Sequence, residues 1–317
     1  MQRELGAVER KQRVQELKAR KAPVKRPATG EGGERGVVAA IFGPTCLIWS
    51  GEEDVTCRPL PGLAVGDRVV FSRAREAVVE VEPRTSKLSR PDPGNPRRER
   101  IIAANVDVLV IVTTLRSPEF RPGLVDRYLV AASSGGARPV ICVNKVDLLE
   151  SPAELRQLDA YRGLGVPVVP CSAATGAGLE LLLEYLRGSQ CVLAGHSGVG
   201  KSSLLNALVP GLELAVSAIS EAHGKGRHTT SAASLHRLEN GAIVIDTPGV
   251  REFGLWNAGL DEVRRGFPEF DALACRFRGC SHIEEPGCEV RRATEEGRID
   301  GRRYDAYRRL AGEAVNR

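Results

Sequence analysis

Gly195-His196-Ser197-Gly198-Val199-Gly200-Lys201-Ser202 fits the pattern G-x-x-x-x-G-K-[ST]. It follows the apolar run Cys191 to Ala194 and opens a helical pattern, the strand–loop–helix setting that a phosphate-binding loop requires. Glycines let such a loop turn its backbone N–H groups toward phosphates, and the N-terminus of the next helix favours their charge. In this pattern Lys201 reaches the β- and γ-phosphates and the Ser202 hydroxyl ligates Mg²⁺, with Ser203 beside it.

Other apolar runs with the length of buried parallel strands lie on both sides of this loop, at Val106 to Val112, Pro139 to Val143, Val166 to Val169 and Ala242 to Ile245. Three of them end on polar motifs. Asp246-Thr247-Pro248-Gly249 places Asp246 within reach of the Mg²⁺ shell, and the Gly249 N–H can sense a γ-phosphate. Asn144-Lys145-Val146-Asp147 selects the base. The Asp147 carboxylate accepts from guanine N1–H and the exocyclic amino group; adenine lacks both donors and would leave the charge unpaired. Asn144 can contact the base edge or brace the phosphate loop, and the Lys145 stem can cover the base. Ser172-Ala173 offers a backbone N–H to guanine O6.

Gly224-Lys225-Gly226-Arg227-His228-Thr229-Thr230 reads as the loop that closes over Mg²⁺ and the γ-phosphate, with Thr229 or Thr230 as a second Mg²⁺ ligand and Thr230 preferred. The residue after Asp-Thr-Pro-Gly, a position where some GTPases carry a water-orienting Gln, is Val250. His228 is then the nearest polar candidate for that task; the alternative is an ordinary surface histidine.

The 317 residues, 42% hydrophobic and 27% charged, describe a multidomain soluble protein. Residues 1–34 form a basic arm with no sustained apolar stripe. Residues 35–83 carry short β-rich runs separated by turn residues, expected as an OB-fold or another small β-barrel. Residues 84–100 read as a basic linker rich in Arg and Pro, 101–257 as an α/β nucleotide-binding domain, and 258–317 as a mainly helical, Arg-rich domain. The capping box Ser151 to Glu154 starts one helical segment, and a long helical pattern runs from Arg303 to Val315.

Net charge is only +5, but basic residues cluster in the arm, around Arg84 to Arg100, and at Arg291, Arg292, Arg302, Arg303, Arg308 and Arg309. Each cluster can meet a polyanion such as RNA or remain a solvated face. No secretory leader and no apolar run of about 18 residues is present, so a cytoplasmic protein without membrane contact is expected. Nothing points to an oligomer, so a monomer is expected.

Cys275, Cys280, His282 and Cys288 read C-x₄-C-x-H-x₅-C, a soft donor set suited to one closed, structural Zn²⁺ site; free core cysteines are the alternative.

In the usual order of a P-loop GTPase the phosphate loop comes first and Asn-Lys-x-Asp last; here Asn144 to Asp147 precedes Gly195, a circular permutation. The permuted order, the Gly-Arg-His-Thr-Thr loop, Asp-Thr-Pro-Gly-Val-Arg-Glu-Phe-Gly, Ala103 to Asp107 and the Cys/His group together resemble the bacterial small ribosomal subunit biogenesis GTPases of the RsgA family, over about residues 36 to 300. The resemblance implies an OB-fold, a permuted GTPase domain and a zinc domain. It also implies GTP and GDP as ligands, action on the small ribosomal subunit and its rRNA late in assembly, hydrolysis stimulated by that subunit, and a catalytic role for His228. His196 stands where this family often carries Gln. The competing expectation is an RNA-binding assembly protein that holds GTP mainly as a structural ligand, since valine cannot orient water.

Overall fold

The computed structural model describes residues 33–51, 53–92, 94–209, 234–246 and 258–315. The apolar runs form strands β8 (Val108–Thr113), β9 (Arg138–Val143), β10 (Val168–Pro170), β11 (Gln190–Ala194) and β13 (Ile243–Asp246). They lie side by side in the order β10-β9-β8-β11-β13, paired in parallel, with β12 (Ser234–Arg237) antiparallel at the end.

Alternation along β8 explains why every one of its residues is apolar or buried. Val108, Val110 and Val112 face a core shared with helices α3 (Leu179–Leu186) and α4 (Lys201–Leu208). Leu109 and Ile111 face the opposite core, shared with helix α1 (Pro122–Gly135). A short helix α2 (Asp159–Gly163) follows the turn that the Ser151–Glu154 capping box opens.

The N-terminal strands β1 (Glu34–Phe42), β2 (Thr45–Trp49), β3 (Asp54–Cys57), β4 (Arg68–Ser72) and β5 (Ala77–Val81) pair in the order β3-β2-β1-β4-β5. The expected barrel is not a closed ladder among the described residues: its two ends meet at a single bridge, Arg58↔Ala77. Pro59 and Pro61 follow β3 directly and have no N–H to extend it toward β5. β1 also pairs with β12 at Ala40↔Ser234, so one sheet runs through both units.

Residues 84–100, expected as a linker, instead contain most of a hairpin, β6 (Lys87–Asp92) with β7 (Asn95–Ala104), which runs on into the expected GTPase domain. Its prolines misled the reading, because both strands of an isolated ribbon are edges, where a missing N–H is tolerated. Asp92 Oδ1 accepts the Gly94 and Asn95 N–H groups at 2.8 and 3.2 Å and shapes the turn. Below the hairpin, buried Asp67 takes a two-point contact from Arg84 at 2.6 and 2.7 Å, and Gln190 Nε2 donates to Ala104 O at 2.6 Å.

The C-terminal part contains α5 (Leu260–Arg265), α6 (Glu289–Glu295) and α7 (Gly301–Val315). Its apolar residues Val263, Phe267, Tyr307 and Leu310 belong to the same cluster as Val125 and Leu129 of α1, so position 258 is no core boundary. Arg303, grouped above with residues that could meet phosphates, is buried and meets carboxylates. It donates to Asp126 of α1 at 2.8 Å and to both oxygens of Glu269 at 2.8 and 2.9 Å.

Candidate nucleotide and metal sites

β11 delivers Gly195 to Gly200 at the carboxyl edge of the sheet, and α4 starts at Lys201. Two glycines here are obligatory. Gly195 has φ +156° and a Cβ would lie 2.2 Å from Val112 O; Gly200 has φ +89° and a Cβ would lie 2.5 Å from Asn144 Nδ2. Lys201 Nζ donates to the carbonyls of Gly195 and His196 at 2.7 and 3.0 Å, which places its ammonium inside the loop.

The polar residues after β9 and β10 converge on this loop. Buried Asn144 donates from Nδ2 to Val199 O at 2.9 Å, while its Oδ1 accepts Ala173 N–H at 3.0 Å. Asn144 thus braces the phosphate loop. The Ser172 hydroxyl donates to Asp147 Oδ1 and accepts Thr175 N–H at 3.2 Å, so the carboxylate is oriented from behind. Val146 N–H is tied to Cys171 O at 3.1 Å. Lys145 has a positive φ of 62° and donates from Nζ to Ser117 O at 2.7 Å, laying its stem along the edge of the loop. The arrangement has the shape to cradle phosphates beside a carboxylate that can accept two donors.

α1 supplies two contacts that the sequence did not suggest. Tyr128 is buried and hydrogen-bonded to the Gly195 backbone, and burial pushes its phenol up to about 12, so it stays neutral. Arg121, at the N-cap of α1, lies 2.9 Å from His196 Nε2. Neither belongs to a motif, because both act across the fold.

Asp246 ends β13, two strands from β8. Gly249, Val250, His228, Thr229 and Thr230 lie outside the described residues.

Cys275, Cys280, His282 and Cys288 come together, their donor atoms all within 4.8 Å of one another. His282 Nδ1 is 3.4 Å from Cys275 Sγ and 3.5 Å from Cys288 Sγ, and the two sulfurs are 3.9 Å apart. Metal–ligand bonds of about 2.3 Å to sulfur and about 2.0 Å to nitrogen imply tetrahedral edges of roughly 3.5 to 3.8 Å, so the cluster fits a metal ion such as zinc. Burial holds His282 below the usual imidazole range, which favours the neutral ligand form. α7 grips the loop, Tyr304 and Tyr307 donating to the carbonyls of His282 and Ser281 at 2.7 and 2.6 Å.

The family model described as RsgA GTPase matches residues 81–256, more than half of the chain. This chain belongs to the RsgA GTPase family. A relative in Gemmatimonas aurantiaca named small ribosomal subunit biogenesis GTPase RsgA is 44% identical over 262 residues, 80% of this chain and 85% of that protein. One of the same name in Pseudomonas putida is 44% identical over 79% of this chain and 75% of its own length. Among solved structures, YjeQ from Thermotoga maritima superposes with a TM-score of 0.73 at 33% identity, over 90% of this chain and 99% of that one. YloQ, described as a circularly permuted GTPase, gives 0.69 at 27% identity, over 92% and 98%. RsgA-family membership accounts for the order of motifs along the chain and makes it a GTP hydrolase.

Proposed function

We propose that this chain hydrolyses GTP to GDP and phosphate to control its action on the small ribosomal subunit late in assembly, with rRNA as its docking surface. The observation that carries the reading is Asn144, which ties the phosphate loop at Val199 to the base-reading turn at Ala173. The relatives' name supplies the ribosomal target.

In this reading Gly195 to Ser203 wrap the phosphates, Lys201 neutralises them, and Asp147, Lys145, Val146 and the Ser172-Ala173 turn hold guanine. Nucleotide entry displaces the Lys201 ammonium from the two loop carbonyls it now holds. Ser202 and Thr230 would ligate Mg²⁺, with Asp246 in its outer shell and the Gly249 N–H at the γ-phosphate. Bound Mg²⁺ neutralises charge that develops on the β- and γ-oxygens. His228 orients the attacking water, a task closed to Val250. Cys275, Cys280, His282 and Cys288 hold one structural Zn²⁺. The five N-terminal strands act as an OB-like RNA-binding unit. The protein works as a monomer in the cytoplasm; among the described residues no helix is long and apolar enough to cross a membrane.

The test is GTP hydrolysis by purified protein with and without small ribosomal subunits, with large subunits and free RNA as controls. Stimulation of at least about tenfold by small subunits alone is expected. Val250 favours a second reading, GTP as a structural ligand; GTP-dependent binding to the subunit without stimulation would select it. In single-turnover experiments His228→Ala is expected to slow hydrolysis with nucleotide binding intact; an unchanged rate removes His228 from the mechanism.

A further inference from the structure

The His196 ring sits between two partners of fixed role. Its Nδ1 lies 2.6 Å from Ser197 O and its Nε2 lies 2.9 Å from Arg121 Nη1. A carbonyl oxygen only accepts and a guanidinium only donates, so Nδ1 carries the proton and Nε2 accepts. The ring is held in one tautomer and one orientation. Among the described residues the Arg121 guanidinium has His196 as its partner, and no carboxylate competes for it. Pro122 follows Arg121 and starts α1, which packs on the sheet beneath the loop.

Holding Ser197 O has a consequence for the next amide. In a trans peptide the C=O and N–H point in opposite directions, so a Ser197 carbonyl turned toward the imidazole turns the Gly198 N–H away from it. Ser197 and Gly198 are the exposed part of the loop, and Gly198 holds a left-handed φ of 85° that leaves this peptide free to rotate without a side-chain penalty. Without an anchor the peptide can flip and present a carbonyl to the phosphates.

We infer that His196, held by Arg121, is the positioning residue that keeps the Ser197–Gly198 peptide turned so that the Gly198 N–H faces the nucleotide phosphates. This deepens the GTP-site reading and rests on it. Arg121 acts through His196, which links the start of α1 to the phosphate cradle.

The experiment is a double-mutant cycle read by the affinity of the full chain for fluorescent GDP and for a fluorescent non-hydrolysable GTP analogue. Melting of each nucleotide-free variant serves as the folding control. His196→Ala is expected to weaken both nucleotides about tenfold, with the nucleotide-free melting temperature within about 2 °C of wild type. Arg121→Ala weakens them similarly, and the double variant is no weaker than the worse single one, because both act on one peptide. His196→Gln, whose amide can donate to Ser197 O and accept from Arg121, recovers most of the loss. Wild-type affinity in His196→Ala, losses that multiply in the double variant, or no recovery with Gln would each overturn the inference. A wild-type chain that binds neither nucleotide overturns the GTP site itself, and is told apart by that control.

Discussion

Asn144 joins two backbone groups from different loops, Val199 O and Ala173 N–H. Asn144→Ala strands both, at about 1–3 kcal/mol each, so nucleotide affinity and the melting temperature should fall together. Titration calorimetry and a thermal melt on one sample check this; loss of affinity alone would mean that the brace is not structural. Asp147 makes the opposite case. Asp147→Asn replaces an acceptor by a donor, so GTP should weaken at least about tenfold while xanthosine triphosphate, with a carbonyl in place of the guanine amino group, gains. Competition between the two nucleotides measures it. The reading of Asp147 comes from its motif, since its chemistry is local. That Asn144 reaches Val199 was not legible there, because the contact joins the loops after β9 and β11, which β8 separates in the sheet.

The union of α1 and α7 depends on Arg303, which shares one guanidinium between Asp126 and Glu269 and lies 4.4 Å over the Phe267 ring. Removing it leaves two carboxylates facing an apolar interior, so Arg303→Met should cost about 3–5 kcal/mol in urea unfolding, even though Met fills much of the volume. Asp126 also sets a pH dependence. Burial raises its carboxyl from 3.8 to about 6 despite the Arg303 contact. A raised carboxyl favours the folded state fully below its unfolded value, and that contribution is lost as the pH rises through the folded one. Wild-type stability relative to Asp126→Asn should therefore decline between about pH 4 and pH 6; a constant difference across that window would place the folded value near the ordinary one. Arg303 was read as part of a surface cluster because a run of arginines carries no mark of which one the fold buries.

Because α1, α5 and α7 share one apolar cluster, the metal-bearing part and the nucleotide-binding part should unfold together. Purified protein is expected to hold about one zinc per chain. A strong chelator should lower the temperature of a single unfolding transition, since a ligand of the folded state stabilises whatever is coupled to it. Two separate transitions, only one of them sensitive to the chelator, would show that the shared cluster does not couple the parts.

The strands of the α/β sheet and the Cys/His cluster could be read along the chain, because each is written in neighbouring residues whose spacing carries the chemistry. The circular permutation was equally legible, being a matter of order alone. The hairpin at 87–104, the single bridge where a closed barrel was expected, the burial of Arg303 and the hold of Arg121 on His196 followed from packing. Apart from the hairpin, which its prolines mask, each joins residues from different segments, Arg121 and His196 lying 75 positions apart, and no local pattern records which distant partner the fold will bring within hydrogen-bonding distance.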